Sequence, residues 1–221
     1  MCGRFVQLPV AAFGQPGLAD LAPGLAGIEP SYNLAPTQRA SIILDRSEGQ
    51  QVTRMAWGLL PLWAKAKGLQ GKTTNARIET VAEKNAFRTA FKKRRCVIPM
   101  AGHYEWSVSP EDGKKDPWFI HTEGPLLAAG LWEDTSPLLP DGNLGTFTII
   151  TGDNSGVSAD IHDRMPIWLQ ASQIDDWLTA GSDDAMATLL ASEPPAMEAY
   201  RVSRAVNTPR NNAEGLLEPV A

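Results

Sequence analysis

The chain has 221 residues, of which 43% are hydrophobic and 20% are charged, and a formal net charge of −5 at neutral pH. A chain of this size and composition can bury a proper core, and we expect a single domain over residues 1–221. Two cysteines and three scattered histidines exclude a disulfide framework and a zinc cluster, so we expect no metal or organic cofactor. No run approaches the roughly 20 apolar residues of a membrane span, which favours a cytoplasmic protein.

The chain begins with Met1-Cys2-Gly3-Arg4-Phe5. The side chain of Cys2 is small enough for the initiator methionine to be removed, which would leave a thiol and a free α-amine on one residue. Such an amine titrates at about 7.7–8.0 and such a thiol at about 8.5. An aldehyde can then be attacked first by the amine and next by the thiol, closing a five-membered thiazolidine ring. The alternative is a small residue in a frayed terminus.

The next part of the chain predicts a loop followed by a hairpin. Residues 9–30 are rich in Gly, Pro and Ala and are typical of a loop. Strands are predicted over 40–44 and 51–59, with a polar turn between them. The hairpin leads to Trp57 and Trp63, which lie near basic residues. These aromatic side chains could stack on nucleic-acid bases or fill the core, and both alternatives stay open.

Basic residues are concentrated in the segment 65–95. It contains ten Lys or Arg residues against two Glu, a net charge of +8 that leaves −13 for the rest of the chain. Apolar Phe87, Ala90 and Phe91 at i, i+3 and i+4 predict a helix of about twelve residues with a basic outer face. This pattern is typical of a protein that contacts a polyanion at one groove, although a solvated helix face would look the same.

A buried strand over 96–100 leads into the most apolar part of the chain. In the following Gly102-His103-Tyr104-Glu105-Trp106, strand alternation places His103 and Glu105 on one face and the two aromatics on the other. A lone Glu in an apolar stretch would have a raised pKa, which suits proton transfer. A structural pairing with an Arg is the alternative.

The second half of the chain predicts further strands over 118–122, 126–132 and 146–151, and a last one over 200–206. Two short helices are predicted between them. The first begins with a capping box of Ser172 and Asp175, and the second covers 183–191. A polar cluster, Ile161-His162-Asp163-Arg164-Met165-Pro166, precedes a buried-looking stretch and is a candidate site.

Seven motifs in this order resemble the SRAP family, the SOS-response-associated-peptidase-like proteins that crosslink to abasic DNA. They are Met1-Cys2-Gly3-Arg4-Phe5, Tyr32-Asn33-Leu34-Ala35-Pro36, Trp57-Gly58, Asn75-Ala76-Arg77-Ile78-Glu79-Thr80, Gly102-His103-Tyr104-Glu105-Trp106, Ile161-His162-Asp163-Arg164-Met165-Pro166 and Val202-Ser203-Arg204-Ala205-Val206. The resemblance implies an α+β fold with a β-rich, curved, barrel-like antiparallel sheet and flanking helices. It also implies a positively charged channel for single-stranded DNA.

The resemblance further implies a reaction and four catalytic residues. The mature N-terminal Cys2 would capture the ring-opened aldehyde of an abasic site as a stable thiazolidine that shields the lesion. Asn75 would hold the sugar-derived oxygen and the N-terminus. Glu105 would act as acid and base in the Schiff-base steps, and His162 would assist ring opening, proton transfer and any reversal. The same chemistry could include autocatalytic removal of Met1.

The DNA contacts implied by the resemblance involve Arg4, Asn33, Pro36, Trp63, Arg77 and Thr151. Arg4 and Arg77, joined by Thr151, would grip phosphates, while Pro36 and Trp63 would bend or unstack the strand at a junction. The implied partner is single-stranded DNA with abasic sites, including single-strand/double-strand junctions. The protein would be a monomer that associates with the nucleoid when bound to DNA. His103 and Ala64 depart from the family pattern, which has bulkier aromatics there.

Three other functions are compatible with parts of the sequence. Class II glutamine amidotransferases also start Met-Cys-Gly and use the N-terminal cysteine to hydrolyse an amide, but their second domain and glutamine-gripping motifs are not found here. A peptidase using Cys2 with Glu105 is the second alternative. A non-catalytic single-strand binding module is the third, and it would keep its DNA affinity without Cys2.

Overall fold

The computed structural model describes residues 2–9, 12, 24–64, 72–135 and 145–220. Within these ranges, ten strands share one mixed sheet and the helices are short. The strands are β1 (Phe5–Gln7), β2 (Ser31–Leu34), β3 (Arg39–Arg46), β4 (Gly49–Trp57), β5 (Asn75–Arg77), β6 (Arg95–Val108), β7 (Lys115–Glu133), β8 (Thr146–Asp153), β9 (Arg164–Pro166) and β10 (Glu198–Arg201). The α-helices are α1 (Arg88–Lys93), α2 (Ile174–Thr179) and α3 (Ser182–Leu190). The predicted β-rich α+β class is therefore confirmed.

Five of the strands close into a barrel-like ring. β7 pairs with β8, β8 with β4, β4 with β3, β3 with β6, and β6 returns to β7. β1 and β2 extend the sheet from β6, and β10 extends it from β7. Most pairs are antiparallel as expected, but β8 runs parallel to both β4 and β5. Closure gives the sheet an interior lined by its inward-facing side chains.

Strand alternation divides the core into an interior and an outer layer. Ile42 and Leu44 of β3 pack in the same cluster as Cys2, whereas Ile43 between them packs with the helices on the opposite face. Trp57 lies in the interior with its ring 5.0 Å from that of Phe5. Of the two tryptophans left open by the sequence, Trp57 is therefore a core residue.

A bend in β6 fits the N-terminal strand against the barrel. The pairing of β6 with β7 shifts register between Met100 and Gly102. A Cβ atom at Gly102 would lie only 2.6 Å from the ring of Phe119, so a larger residue would push that ring away. Beyond the bend, Phe5 of β1 lies opposite His103. The bend thus sets where the N-terminal segment meets β6.

Several boundaries differ from the predictions. Helix α1 has six residues rather than about twelve, because residues 81–87 form successive turns instead of a continuous helix. The two strands predicted over 118–122 and 126–132 are parts of the single strand β7. β10 ends at Arg201, and the chain then forms a 3₁₀ helix over Arg204–Asn207, where the Ser203 hydroxyl accepts from the backbone N–H of Ala205 at 3.2 Å.

The two predicted C-terminal helices are present, but the predicted capping box is not. No side chain caps α2, and the nearby turn is closed instead by Gln173 Oε1, which accepts from the backbone N–H of Gln170 at 2.9 Å. Lys65, Lys67 and most of the loop predicted over 9–30 lie outside the described residues. In the described ranges no helix is long and apolar enough to cross a membrane.

Candidate active site around the N-terminal cysteine

The Cys2 side chain is fully buried in the barrel interior, in the packed cluster that contains Phe5 and Trp168. Its thiol donates weakly to the carbonyl oxygen of Arg4, with 3.9 Å between the two atoms. Burial raises the pKa of this thiol far above its usual range, and the charge of Glu105 raises it further, while the N-terminal amine acts in the opposite direction. With Met1 still attached, Cys2 is therefore a protonated thiol and a poor nucleophile.

Asn75 ties Cys2 to the sheet. Its side-chain Nδ2 donates to the backbone carbonyl of Cys2 at 2.8 Å. β5, which carries Asn75, is fixed by its pairing with β8 and by the indole of Trp57, which donates to the carbonyl of Thr74 at 2.8 Å. The Oδ1 atom of Asn75 is buried and has no partner within the described ranges. One end of this amide therefore positions the nucleophilic residue while the other can receive a donor.

Glu105 lies beside the N-terminal segment. Phe5 is opposite His103, and the N–H of Tyr104 donates to the carbonyl of Arg4 at 2.9 Å, so the antiparallel register brings Gly3 next to Glu105. The Glu105 side chain is 2% exposed. Burial raises its pKa to about 7, and the nearby N-terminal amine opposes the rise. A carboxyl group with this pKa can both take and return a proton at neutral pH, as expected from the sequence.

His162 lies on the loop before β9 and is partly buried. Its Nδ1 accepts from the backbone N–H of Arg164 at 3.0 Å, and its own carbonyl accepts from Asn154 Nδ2 at 2.7 Å. Burial lowers the pKa of His162, with the N-terminal amine as a second cause and Asp163 acting in the opposite direction. Nδ1 also lies 2.8 Å from Oδ1 of Asp163, so this nitrogen contacts both a backbone donor and a carboxylate acceptor. Asp163, which contacts His162, also raises the pKa of Glu105, so Glu105 and His162 lie in the same region.

Arg164 was predicted only as part of the polar cluster 161–166, and the structure shows that it anchors the loop that carries His162. Its guanidinium binds both carboxylate oxygens of Glu79, at 2.6 and 2.9 Å, and also Asp153 at 2.7 Å. A further bond reaches the carbonyl of Thr151 at 2.8 Å. Such a bidentate pair fixes geometry as well as charge. The signal was available in the sequence, since Glu79 and Arg164 both fall inside recognised motifs.

Arg4 and Asn33, two of the predicted DNA contacts, form a network with the C-terminal loop. Arg4 donates to Asn33 Oδ1 at 2.9 Å and to the carbonyl of Val206 at 3.0 Å, and it lies over the ring of Trp106. Asn33 is 1% exposed, and its Nδ2 donates to the carbonyls of Val206, Thr208 and Asn211. The side chain of Asn33 is thus committed inside the protein, and Arg4 is half-buried above it.

The other predicted DNA contacts differ in exposure. Trp63 is 65% exposed, Arg77 is exposed on β5 two residues after Asn75, and Pro36 is partly buried next to Thr37, which has a φ of 75°. Thr151 is fully buried, and its hydroxyl has no partner among the described residues. Trp63 and Arg77 can therefore meet a ligand directly, whereas Thr151 faces the interior.

The basic segment is divided between structure and surface. Arg95 is buried and donates to backbone carbonyls of the α1 and α2 region, including that of Phe91 at 2.8 Å. Arg94 pairs with Glu133 at 2.8 Å. The remaining described basic residues of the segment are exposed: Lys72, Arg77, Lys84, Arg88, Lys92 and Lys93. The exposed positive surface is thus smaller than the sequence count suggested.

Comparison with known proteins identifies the family. Residues 1–209 match the family described as SOS response associated peptidase (SRAP). The "Abasic site processing protein YoqW" of Bacillus subtilis is 38% identical over 196 residues, covering 86% of each chain. The "Abasic site processing protein HMCES" of Pongo abelii is 31% identical, covering 86% of this chain and 65% of its own. This chain belongs to the SRAP family.

Solved structures agree on the fold. An X-ray structure of a Bordetella bronchiseptica protein superposes with a TM-score of 0.75 at 24% identity, over 91% of this chain and 100% of that one. A Bacteroides thetaiotaomicron protein gives a TM-score of 0.73 at 23% identity, over 100% of this chain and 98% of that one. At these identities the likeness concerns the fold alone.

Proposed function

We propose that this protein processes abasic sites in DNA by forming a covalent thiazolidine between Cys2 and the ring-opened sugar. The observation that carries the proposal is the convergence of three groups at the N-terminus. Asn75 holds Cys2 in place by donating a hydrogen bond to the backbone carbonyl of Cys2. Glu105, with a pKa of about 7, lies next to Cys2. The relatives named above are abasic site processing proteins, which supports the same substrate.

The reaction begins when Met1 is removed and the α-amine of Cys2 becomes free. Glu105 accepts the proton of the ammonium group, and the amine nitrogen bonds to the aldehyde carbon of the sugar. Protonated Glu105 then returns the proton to the resulting hydroxyl group, which leaves as water and gives a Schiff base. The thiol sulfur adds to the same carbon, its proton passes to the nitrogen, and the five-membered ring closes. No oxidant or cofactor is needed to balance these steps.

Asn75 supports the reaction at the N-terminal residue, and His162 supports it at the sugar. The bond from Asn75 to the carbonyl of Cys2 restricts the N-terminus to one orientation, which lowers the entropy cost of attack. Neutral His162 can assist opening of the sugar ring by moving a proton to the ring oxygen. Glu105 and His162 thus divide the proton transfers between the amine and the sugar.

The substrate that the surface favours is single-stranded DNA, including strands at a junction with duplex. Arg77, two residues after Asn75 on β5, offers a phosphate contact beside the site, and the other exposed basic residues of the segment add positive charge. Exposed Trp63 provides a face for stacking a base, and partly buried Pro36 would bend the strand. Arg4, held in place by Asn33, contacts a phosphate group. Thr151 offers its hydroxyl group to the DNA from the barrel interior. We further propose that one monomer suffices.

The test uses purified, Met1-free protein and a single-stranded oligonucleotide with one abasic site. A covalent adduct is expected on a denaturing gel, absent in Cys2→Ala. Cys96→Ala is the matched control, since Cys96 is equally buried in the same interior cluster but has no α-amine beside its thiol, and this variant should form the adduct normally. No adduct from a correctly processed protein would overturn the proposal, and cleavage of a peptide or amide substrate would then favour the two hydrolytic alternatives.

A further inference from the structure

His103 is buried, but the packing around it does not explain why a polar ring occupies this position. It is 0% exposed, and neither Nδ1 nor Nε2 has a hydrogen-bond partner among the residues that the structure describes. Leaving a buried polar atom without a partner is costly, whereas an apolar ring of the same shape carries no such cost. A phenylalanine would therefore fill this place better if packing were its only role.

Trp168 presents the same anomaly next to His103. The two rings are in contact, with centroids 5.4 Å apart and planes inclined by 45°. Trp168 is 3% exposed, and its Nε1–H likewise finds no acceptor within the described ranges. Two neighbouring residues thus hold three buried nitrogen atoms that find no hydrogen-bond partner in the described part of the chain. Such a cluster indicates a place where polar atoms of a ligand are received.

The cluster adjoins the reacting groups. His103 shares a strand face with Glu105, two residues away on β6, and lies opposite Phe5 on the segment that leads to Cys2. Trp168 packs in the same interior cluster as Cys2. The charge of the N-terminal amine also acts on His103, as the second cause after burial of a pKa lowered to about 3. The imidazole is therefore neutral at physiological pH.

The hydrogen-bond donors and acceptors of His103 and Trp168 indicate which group of a ligand would bind between them. A neutral imidazole offers one N–H donor and one acceptor nitrogen, and an indole offers one donor. A hydroxyl group can accept from Trp168 and exchange a hydrogen bond with His103 in either sense. The ring-opened sugar of an abasic site has one such group, the hydroxyl freed when the ring opens, because its other two backbone oxygens are esterified to phosphate. This hydroxyl is attached three carbons from the aldehyde carbon.

We propose that His103 and Trp168 form a subsite that binds the hydroxyl group freed by opening of the abasic sugar. The proposal rests on the function proposed above and adds a recognition element to it. By holding this hydroxyl, the subsite stabilises the open form of the sugar and directs its aldehyde toward Cys2. It also favours an abasic sugar over simple aldehydes that lack the hydroxyl.

The test compares two oligonucleotides, one with an abasic site and one with an alkyl aldehyde in its backbone that lacks the hydroxyl. His103→Phe removes both nitrogens and keeps a ring against Trp168, and Trp168→Phe removes the indole donor. His103→Phe should slow crosslinking to the abasic site about 10-fold, as expected for one or two lost hydrogen bonds, while the rate with the alkyl aldehyde changes less than about twofold. Trp168→Phe should act in the same direction.

Stability gives an independent readout. Since His103→Phe removes unpartnered polar atoms, its melting temperature should equal or exceed that of the parent. His103→Gln keeps a donor and an acceptor and should recover part of the rate. Equal slowing of both substrates, or no slowing of either, would overturn the subsite while the parent still crosslinks. If the parent crosslinks neither substrate, the proposed function itself fails.

Discussion

Replacing Glu105 by Gln tests whether the carboxyl group is held at a raised pKa by burial. A pKa that rises from an ordinary 4.5 to about 7 means that the folded chain keeps a proton which the unfolded chain has released between these values. The free energy of unfolding therefore falls as pH rises through this window. At about 1.4 kcal/mol for each tenfold change in proton affinity, the buried carboxylate costs about 3 kcal/mol above pH 7.

Glu105→Gln removes this cost while keeping the shape of the side chain. The variant should be more stable than the parent by about 3 kcal/mol at pH 8 and equally stable at pH 4, where the parent carboxyl is protonated in both states. Urea unfolding at the two pH values measures the difference, which corresponds to a rise in melting temperature of roughly 6–12 °C at pH 8. The same variant should lose crosslinking activity, because Gln cannot transfer the proton.

The control is Glu79→Gln, a carboxylate whose pKa is lowered by its hydrogen bonds to the Arg164 guanidinium. A lowered pKa means that the ionised carboxylate stabilises the fold above its ordinary pKa, so this replacement should lower stability at pH 8. Opposite signs for the two substitutions are thus expected at the same pH. A stability difference between Glu105→Gln and the parent that does not change from pH 4 to pH 8 would refute the reasoning.

Four further outcomes follow from the contacts of the site. Asn75→Ala should slow crosslinking about 5–10-fold through loss of its bond to the Cys2 carbonyl, as measured by single-turnover kinetics; an unchanged rate would mean that the N-terminus is held by other groups. Arg164→Ala should lower the free energy of unfolding by about 1–2 kcal/mol, because the paired bonds to half-exposed Glu79 and the bond to the Thr151 carbonyl are lost while exposed Asp153 adds little; urea titration measures this. Trp63→Ala should leave stability within about 0.5 kcal/mol and weaken binding to undamaged single strands by about 1–3 kcal/mol in a fluorescence titration, and unchanged affinity would remove the stacking role. Trp57→Ala, in the core, should instead destabilise by about 3–5 kcal/mol.

The sequence predicts local structure well where one face of a strand is buried. The strands predicted over 40–44 and 96–100 are present as parts of β3 and β6, because strand propensity is a property of neighbouring residues, and period two explains why Ile42 and Ile43 pack on opposite faces. It does not predict that β8 runs parallel to β4 and β5, since those strands come from distant segments and their direction depends on the whole barrel. The local pattern also predicts too long a helix at α1, because turns form in place of the first half of the predicted helix.

For the site as well, the sequence identifies residue types and motifs but not the contacts that depend on tertiary folding. Cys2, Glu105 and His162 are singled out by residue type and by motif, and the structure adds that the N-terminal amine acts on all three. The roles of Arg95 and Asn33 could not be predicted, because each binds carbonyl oxygens that come near only through tertiary folding. For the same reason His103 reads as a substitution in a motif, and only its burial beside Trp168 makes it a candidate ligand contact.

The most direct test of the account is the chemical state of Cys2 in the adduct. Met1-free protein is mixed with abasic single-stranded DNA, and intact mass and thiol alkylation are then measured without any reducing agent. A thiazolidine predicts a mass equal to protein plus DNA minus one water molecule, with Cys2 protected from alkylation in denaturant while Cys96 reacts. An adduct that appears only after borohydride reduction, or one whose Cys2 thiol is still alkylated, would contradict the account.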